Sequence, residues 1–377
     1  MVNKRPYQRC TRCVMDTTAN DITFDKKGYC NYCTEFIERI KKYHSHSDHA
    51  LTKKRERLIK RIKNEGKNNP YDCIVGVSGG VDSSYVLCLA KQCGLRPLAI
   101  HLDNGWNSEL AVQNISNLVN KLEIDLYTHV IDWEKNRDIQ LTFFAAHVID
   151  IEMLTDNAML ALNYNQAQKH HIKYILGGTN SSTEGMKMPH NWNHYKYDKK
   201  NILSIYKKFG NKKINANLFF STCDFLWNQY IAKRRWISFL DYFDYKKNDA
   251  LDVLIKNFNY KPYPYKHYES IFTRFYQGYI LTHKFNVDKR RLHLSTLIVT
   301  DQMTREEAIK MLAGDSYPDR EQKNRDKEFV MEKLGFTEKS FEKYINTPGI
   351  SHEYYGSEEW KMKILIKINR IRKKFLH

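Results

Sequence analysis

The sequence predicts an α/β protein, a doubly wound parallel sheet preceded by a small cysteine module and followed by a mainly helical region. Three observations carry this prediction. From Asp72 onward, short apolar runs alternate with segments of helical period, the pattern of βαβ units. A glycine pair, Gly79-Gly80, stands where the first run turns into the first helix. Polar loops follow three of the apolar runs, at the strand ends where open α/β sheets bind ligands.

The chain opens with Cys10, Cys13, Cys30 and Cys33, two C-x2-C pairs separated by sixteen residues. Two sulfurs on one tight knuckle face the same ion, and two knuckles complete a tetrahedral shell. The reading is a structural zinc ribbon or knuckle; this spacing also serves an iron–sulfur cluster. Disulfides are disfavoured in the expected reducing compartment. Cys73, Cys88, Cys93 and Cys223 form no such pair and read as core thiols. Thr34 to Asn64 is charged and helical in period, with Phe36, Ile37, Ile40, Leu58, Ile59 and Ile62 as its apolar stripe. The module and this link span 1–66, the nucleotide domain 67–215, and the helical region 216–377.

Strands are expected at Cys73–Val77, Leu98–Leu102, Tyr127–Ile131 and Tyr174–Gly177, with helices including Ser83–Cys93, Ser108–Leu122 and Asp156–His170. The first loop, Ser78-Gly79-Gly80-Val81-Asp82-Ser83-Ser84, carries the strongest signal. Glycines let backbone N–H groups approach a phosphate, and the helix N-terminus behind them adds its positive dipole. The loop lacks the Walker spacing and its lysine. The second loop, His101 to Trp106, holds the carboxylate Asp103; the third, Gly177 to Gly185, offers Gly178, Thr179 and Asn180. Glu184 in that loop suits either ammonia orientation or a helix cap.

Lys and Arg number 61 against 43 Asp and Glu, a formal charge of +18 in 377 residues, which favours an anionic partner or is a solvated basic surface. No run approaches the roughly 20 apolar residues of a membrane span, and Met1 to Arg12 shows no apolar signal region, so a soluble cytoplasmic protein is expected. Lys289, Arg290 and Arg291 are distal cationic candidates for phosphates or a sugar carboxylate, or a solvated charge run. Arg274 and Gln277, one helical turn apart among Phe272, Phe275 and Tyr276, would present one polar face to a sugar, or belong to an aromatic core.

The loop wording resembles the ATP pyrophosphatases, among them asparagine, GMP and NAD synthetases and tRNA thiolases. That resemblance implies an adenine nucleotide alpha hydrolase-like fold and cleavage of ATP to AMP and pyrophosphate. A closer resemblance covers nearly the whole chain. Cys10 to Thr18, Ile22 to Asp25, Gly28 to Cys33, Met188 to Trp192, Phe272 to Tyr279, Asp288 to Arg291 and Met303 to Ala308 are similar to the N-acetyl sugar amidotransferases. The family makes acetamidino sugars for surface polysaccharide or flagellin glycans.

The chemistry this implies is amide activation. AMP is transferred to the carbonyl oxygen of an N-acetyl group, pyrophosphate leaves, and ammonia displaces AMP from the resulting imidate. Such catalysis rests on alignment and charge stabilisation. Ser78, Gly79, Gly80, Ser83 and Ser84 are expected to hold pyrophosphate, and Asp82, then Asp103, to hold Mg2+. Gly178 and Thr179 complete the ATP site, Asn180, Arg274, Gln277 and Arg291 face the sugar, and Ser78, Asp82, Lys289 and Arg290 serve catalysis. Residue two is Val2, and no unpaired cysteine stands in a nucleophile elbow. Resemblance therefore implies ammonia from a separate glutaminase subunit with a cyclase-like partner, and an acceptor that is an N-acetylated nucleotide sugar or a nonulosonic acid. The competing class is a tRNA-modifying thiolase, which would use nucleic acid as substrate and a second cysteine pair as sulfur carrier; that pair is lacking here. Nucleic acid is accordingly an unlikely partner.

Overall fold

A computed structural model describes residues 5–44, 48–264, 268–317 and 319–375. Five strands form one parallel sheet in the order β3-β2-β1-β4-β5, where β1 is Cys73–Gly76, β2 Pro97–Asp103, β3 Leu126–Val130, β4 Tyr174–Gly177 and β5 Arg235–Ser238. Chain order runs outward from β1 to β3 and then returns to the other side of β1. The crevice between β1 and β4 is therefore the switch point at which such sheets bind ligands.

Both faces of the sheet are covered, which is why its strands are continuous apolar runs rather than alternating ones. Cys73, Val75, Ala99 and Leu176 pack toward α3 (Val81–Gln92), α4 (Glu109–Leu122) and α10 (Lys247–Phe258). Their neighbours Ile74, Leu98, Ile100 and Ile175 pack the other way, toward α6 (Met153–Lys169). The expected doubly wound sheet is observed, with its four expected strands in place. The fifth strand, Arg-Trp-Ile-Ser, carries no strand period and lies past residue 215.

The expected helical link is two helices, α1 (Asn31–His44) and α2 (Asp48–Gly66), and its stripe divides between two cores. Phe36 and Ile40 join the cysteine module and the distal helices, whereas Leu58, Ile59 and Ile62 cover the sheet. The distal region is helical, and two of its segments, Trp227–Ile231 and Tyr276–Ile280, are π-helical turns. Among the described residues no helix is long and apolar enough to cross a membrane.

Candidate active site and metal centre

Four buried sulfurs gather at the N-terminus. The Sγ atoms of Cys10, Cys13, Cys30 and Cys33 lie within 4.8 Å of one another. Cys10 and Cys33 are 3.8 Å apart and Cys13 and Cys30 3.6 Å. A regular tetrahedron of sulfurs at zinc–sulfur bonds of about 2.3 Å has edges of about 3.8 Å, so the donor set fits one zinc ion. A multi-iron cluster needs its four sulfurs spread around a larger body. Backbone N–H groups of Arg12, Cys13 and Cys30 point at the Cys10 sulfur, the geometry of a metal knuckle.

The module is tied to the distal helices. The Arg305 guanidinium donates to the carbonyls of Cys10 and Cys13, and the Val14 N–H donates to Ser295 Oγ. Arg291 forms a 3.0 Å ion pair with fully buried Asp16 and also donates to the Val14 carbonyl. Arg291, expected to face the sugar, ties the cysteine module to α13 (Arg290–Val299).

The phosphate loop connects β1 to α3. Gly79 has φ +85°, and a Cβ there would lie 2.9 Å from the Ala111 carbonyl oxygen, so only glycine fits. The Gly79 carbonyl accepts from the hydroxyls of Tyr260 at 2.8 Å and Tyr263 at 3.3 Å, which turns the loop's N–H groups the other way. Ser78 Oγ accepts from the Gly80 N–H and lies 3.3 Å from Ser83 Oγ, fixing the turn. Gly80 supplies α3 with no side-chain cap, leaving its first N–H groups to an anion. Ser84 is different: its hydroxyl is sealed from solvent without a hydrogen-bond partner, beneath the loop rather than on it.

Gly178 closes the other side, since a Cβ there would lie 2.9 Å from the Ser83 nitrogen. Thr179 Oγ1 reaches Ser238 Oγ at 3.3 Å, and Asn180 caps the short helix α7 (Ser181–Glu184) through the Thr183 N–H. Thr179, Asn180 and Glu184 line a cavity of about 260 Å³ together with Arg39, Ser238 and Asp241. Asp82 accepts from the Tyr245 hydroxyl. Burial, with the charges of Asp82 and Glu184, holds that phenol far above its usual range. Asp82 is thus the carboxylate held at the loop, and Mg2+ bound to phosphates takes only one or two carboxylates. Asp103 accepts from the Gly105 N–H and the Asn107 amide, ending β2 in a tight turn.

The distal candidates separate in space. Arg274, on α11 (Ile271–Phe275), pairs through two nitrogens with buried Asp326 at 2.5 Å each. Gln277 falls in the π-helical turn that follows and donates to Glu152 at 3.5 Å. The two thus meet different carboxylates, Arg274 on Asp326 and Gln277 on Glu152. Arg290 is held by Asp288 and by the carbonyls of Met311, Gly314 and Asp315. Lys289 turns inward as well, toward the start of α6. Its ammonium lies over the Tyr276 ring at 5.2 Å, within the field of Asp150, Glu152, Asp156 and Lys196.

Sequence reasoning missed that group and also Tyr245, Tyr260, Tyr263 and Glu269. Glu269 Oε1 approaches the position of a Gly80 Cβ to 3.2 Å. The tyrosine-rich stretch before Ser270 and the acidic start of α6 were the available signals.

Two family models match. Residues 52–188 match the one described as NAD synthase, and residues 269–367 the one described as the C-terminal domain of the LPS biosynthesis protein WbpG-like family. No curated protein gives a significant match. Solved structures similar to the chain include an NMN synthetase from Francisella tularensis at 19% identity, covering 59% of this chain and 100% of that one with TM-score 0.29. The NH3-dependent NAD synthetase from Campylobacter jejuni, solved with nitrate, is 16% identical over 43% and 73% of the chains with TM-score 0.28. The U34-tRNA thiolase NcsA from Methanococcus maripaludis, solved with its [4Fe-4S] cluster, is 14% identical over 82% and 89% with TM-score 0.31.

The sheet, its loop and the NAD synthase match define an ATP-utilising enzyme of the PP-loop ATP pyrophosphatase superfamily. Joined to a WbpG-like C-terminal domain, the chain fits the N-acetyl sugar amidotransferase family of that superfamily.

Proposed function

We propose that the chain is an ATP-dependent amidotransferase. It converts the N-acetyl group of a nucleotide sugar or nonulosonic acid to an acetamidino group through an adenylated imidate, in surface polysaccharide or flagellin glycan synthesis. The observation that carries this reading is one chain's union of the NAD synthase and WbpG-like matches. The loop N–H groups at Gly79 and Gly80 and the N-terminus of α3 would hold the departing pyrophosphate, with Ser78 and Ser83 fixing their direction. Asp82, then Asp103, would hold Mg2+, which neutralises phosphate charge when bound. The four-cysteine centre would hold zinc as a structural element. Ammonia would come from a separate glutaminase with a cyclase-like partner, in the cytoplasm.

Thiolase chemistry is the competing reading; the remaining cysteines form no C-x2-C pair, although Cys223, expected in the core, is exposed. Burial pushes the Cys88 thiol up to about 12 and raises Cys73 and Cys93 as well, while persulfide transfer needs an accessible thiolate. The test is mass spectrometry on protein given ATP, Mg2+, ammonium chloride and a panel of N-acetylated nucleotide sugars and nonulosonic acids. Replacement of one amide oxygen by NH, with matching AMP and pyrophosphate, is expected. AMP formation only with tRNA and a sulfur donor would transfer the chain to the thiolases.

A further inference from the structure

At the N-terminus of α6 lies a cluster of charged side chains that the phosphate loop does not use. Asp150 is fully buried; its Oδ2 accepts from Lys196 Nζ at 2.5 Å and from the His194 N–H at 2.8 Å. Its Oδ1, equally buried, has no hydrogen-bond partner. Lys196 also bridges to Asp156 at 2.8 Å. Glu152 accepts from Gln277, is hydrogen-bonded to the Thr273 side chain, and lies in the field of Lys289. Three carboxylates therefore face two ammonium groups.

The position is as informative as the composition. α6 runs back antiparallel to the strands, so its N-terminus lies at their carboxyl edge, the edge of the phosphate loop. Asn104, the residue after β2, donates to Thr155 Oγ1 at 3.2 Å and joins the cluster to that edge. The opposite side comes from the WbpG-like region, through Thr273, Tyr276, Gln277 and Lys289. The cluster thus sits where the two matched regions meet.

A local excess of negative charge, in a chain of net charge +18, repels a phosphate or an acidic sugar and favours a small cation. The amidotransferase reading requires one small cationic reactant, ammonium. Resting on that reading, we infer that this cluster receives the nitrogen nucleophile as ammonium and that the Glu152 carboxylate removes one of its protons. The ammonium N–H bond breaks, its electron pair stays on nitrogen, and Glu152 becomes the carboxylic acid. Ammonia then forms a C–N bond to the imidate carbon. The C–O bond to AMP breaks with its electrons on the phosphate, giving the amidinium and AMP, and Glu152 later returns its proton to water. Burial raises the Glu152 carboxyl and lowers the Lys289 ammonium, with Asp156, Lys196, Asp150 and Tyr276 as the other groups facing them. A raised carboxyl is the stronger base.

The experiment compares wild type with Glu152→Gln and Gln277→Leu, using ammonium chloride as nitrogen source and the acceptor found by mass spectrometry. Thermal melting checks folding, and Gln277→Leu serves where Glu152→Gln fails to fold. Amidine formation should fall further than acceptor-dependent ATP–pyrophosphate exchange in both variants. The KM for ammonium should rise about tenfold in Glu152→Gln and in the same direction for Gln277→Leu, and AMP should outrun amidine as stranded imidate hydrolyses. An unchanged ammonium KM, or loss of exchange in parallel with amidine, overturns the role of the cluster alone. No amidine from wild type with any acceptor overturns the amidotransferase reading and the cluster's role with it.

Discussion

The phosphate loop and the distal basic run Lys289-Arg290-Arg291 are both short sequence signals, yet one keeps its residues in a single turn and the other is divided among three environments. The loop acts through its backbone. Gly79 has room for no side chain, Gly80 leaves a helix end uncapped, and tyrosine hydroxyls orient the peptide groups from behind. In the basic run, Lys289 enters the charged cluster, Arg290 closes a turn, and Arg291 neutralises buried Asp16. A motif built from main-chain geometry carries its partners with it, whereas a cation takes its role from whatever the fold brings opposite.

The largest expected effect comes from the zinc that the four-cysteine centre would hold. Structural zinc contributes on the order of 10 kcal/mol to folding, so stripping it with a strong chelator should unfold the N-terminal module and loosen α13 through Arg305 and Arg291. Calorimetry with and without chelator measures this, and coincident melting curves would remove the four-thiolate assignment. Next is Asp82→Ala, for which AMP formation should fall by at least about 10²- to 10³-fold, the usual loss when one charge-stabilising group is deleted. Its far-UV circular dichroism should match wild type. Retained activity would detach the loop from ATP and erase the contrast drawn above.

The basic run sharpens the contrast further. Arg291→Gln leaves Asp16 buried without its partner and should cost about 3 kcal/mol of stability. Arg290→Gln, on a partly exposed turn held by several carbonyls, should cost about 1 kcal/mol. Each folded variant should keep its affinity for ATP. Urea denaturation and nucleotide titration separate the two quantities, and weakened ATP binding in either variant would return that arginine to the active site.

Much of the fold was legible because its signals are local. Strands β1, β2 and β4 are apolar runs buried on both faces, and the two cysteine pairs reach one point because knuckle geometry is set within four residues. β5 was not legible: Arg235-Trp236-Ile237-Ser238 is a strand only because β4 offers an open edge. The site divides likewise. Gly79, Gly80 and Asp82 follow from the loop pattern, but Asp150, Glu152 and Lys196 lie far apart in sequence from Lys289 and meet it only through the packing of α6 against the distal helices. Arg274 and Gln277 lie one turn apart in sequence, and only the packing gives them separate partners, Asp326 and Glu152.

The smallest effect concerns pH and again divides the two regions, because the charged cluster rests on titratable side chains. His352 stacks on His194 at 4.2 Å, accepts the Asp150 N–H at Nε2, and donates from Nδ1 to Asn201 Oδ1. Burial, with the neighbouring His194, pushes it down to about 3. The folded protein therefore keeps this ring neutral while the unfolded chain, titrating near 6.5, takes up a proton. Stability from this residue is complete above the unfolded value and declines as pH falls from there toward 3. Between pH 6.5 and 5.5 the loss is about 1 kcal/mol. His352→Asn should lower stability at pH 7 while flattening that part of the profile, since asparagine offers an amide without a titrating proton. If urea midpoints of the variant and wild type fall in parallel across that interval, the pH dependence originates elsewhere and this side of the cluster has no share in it.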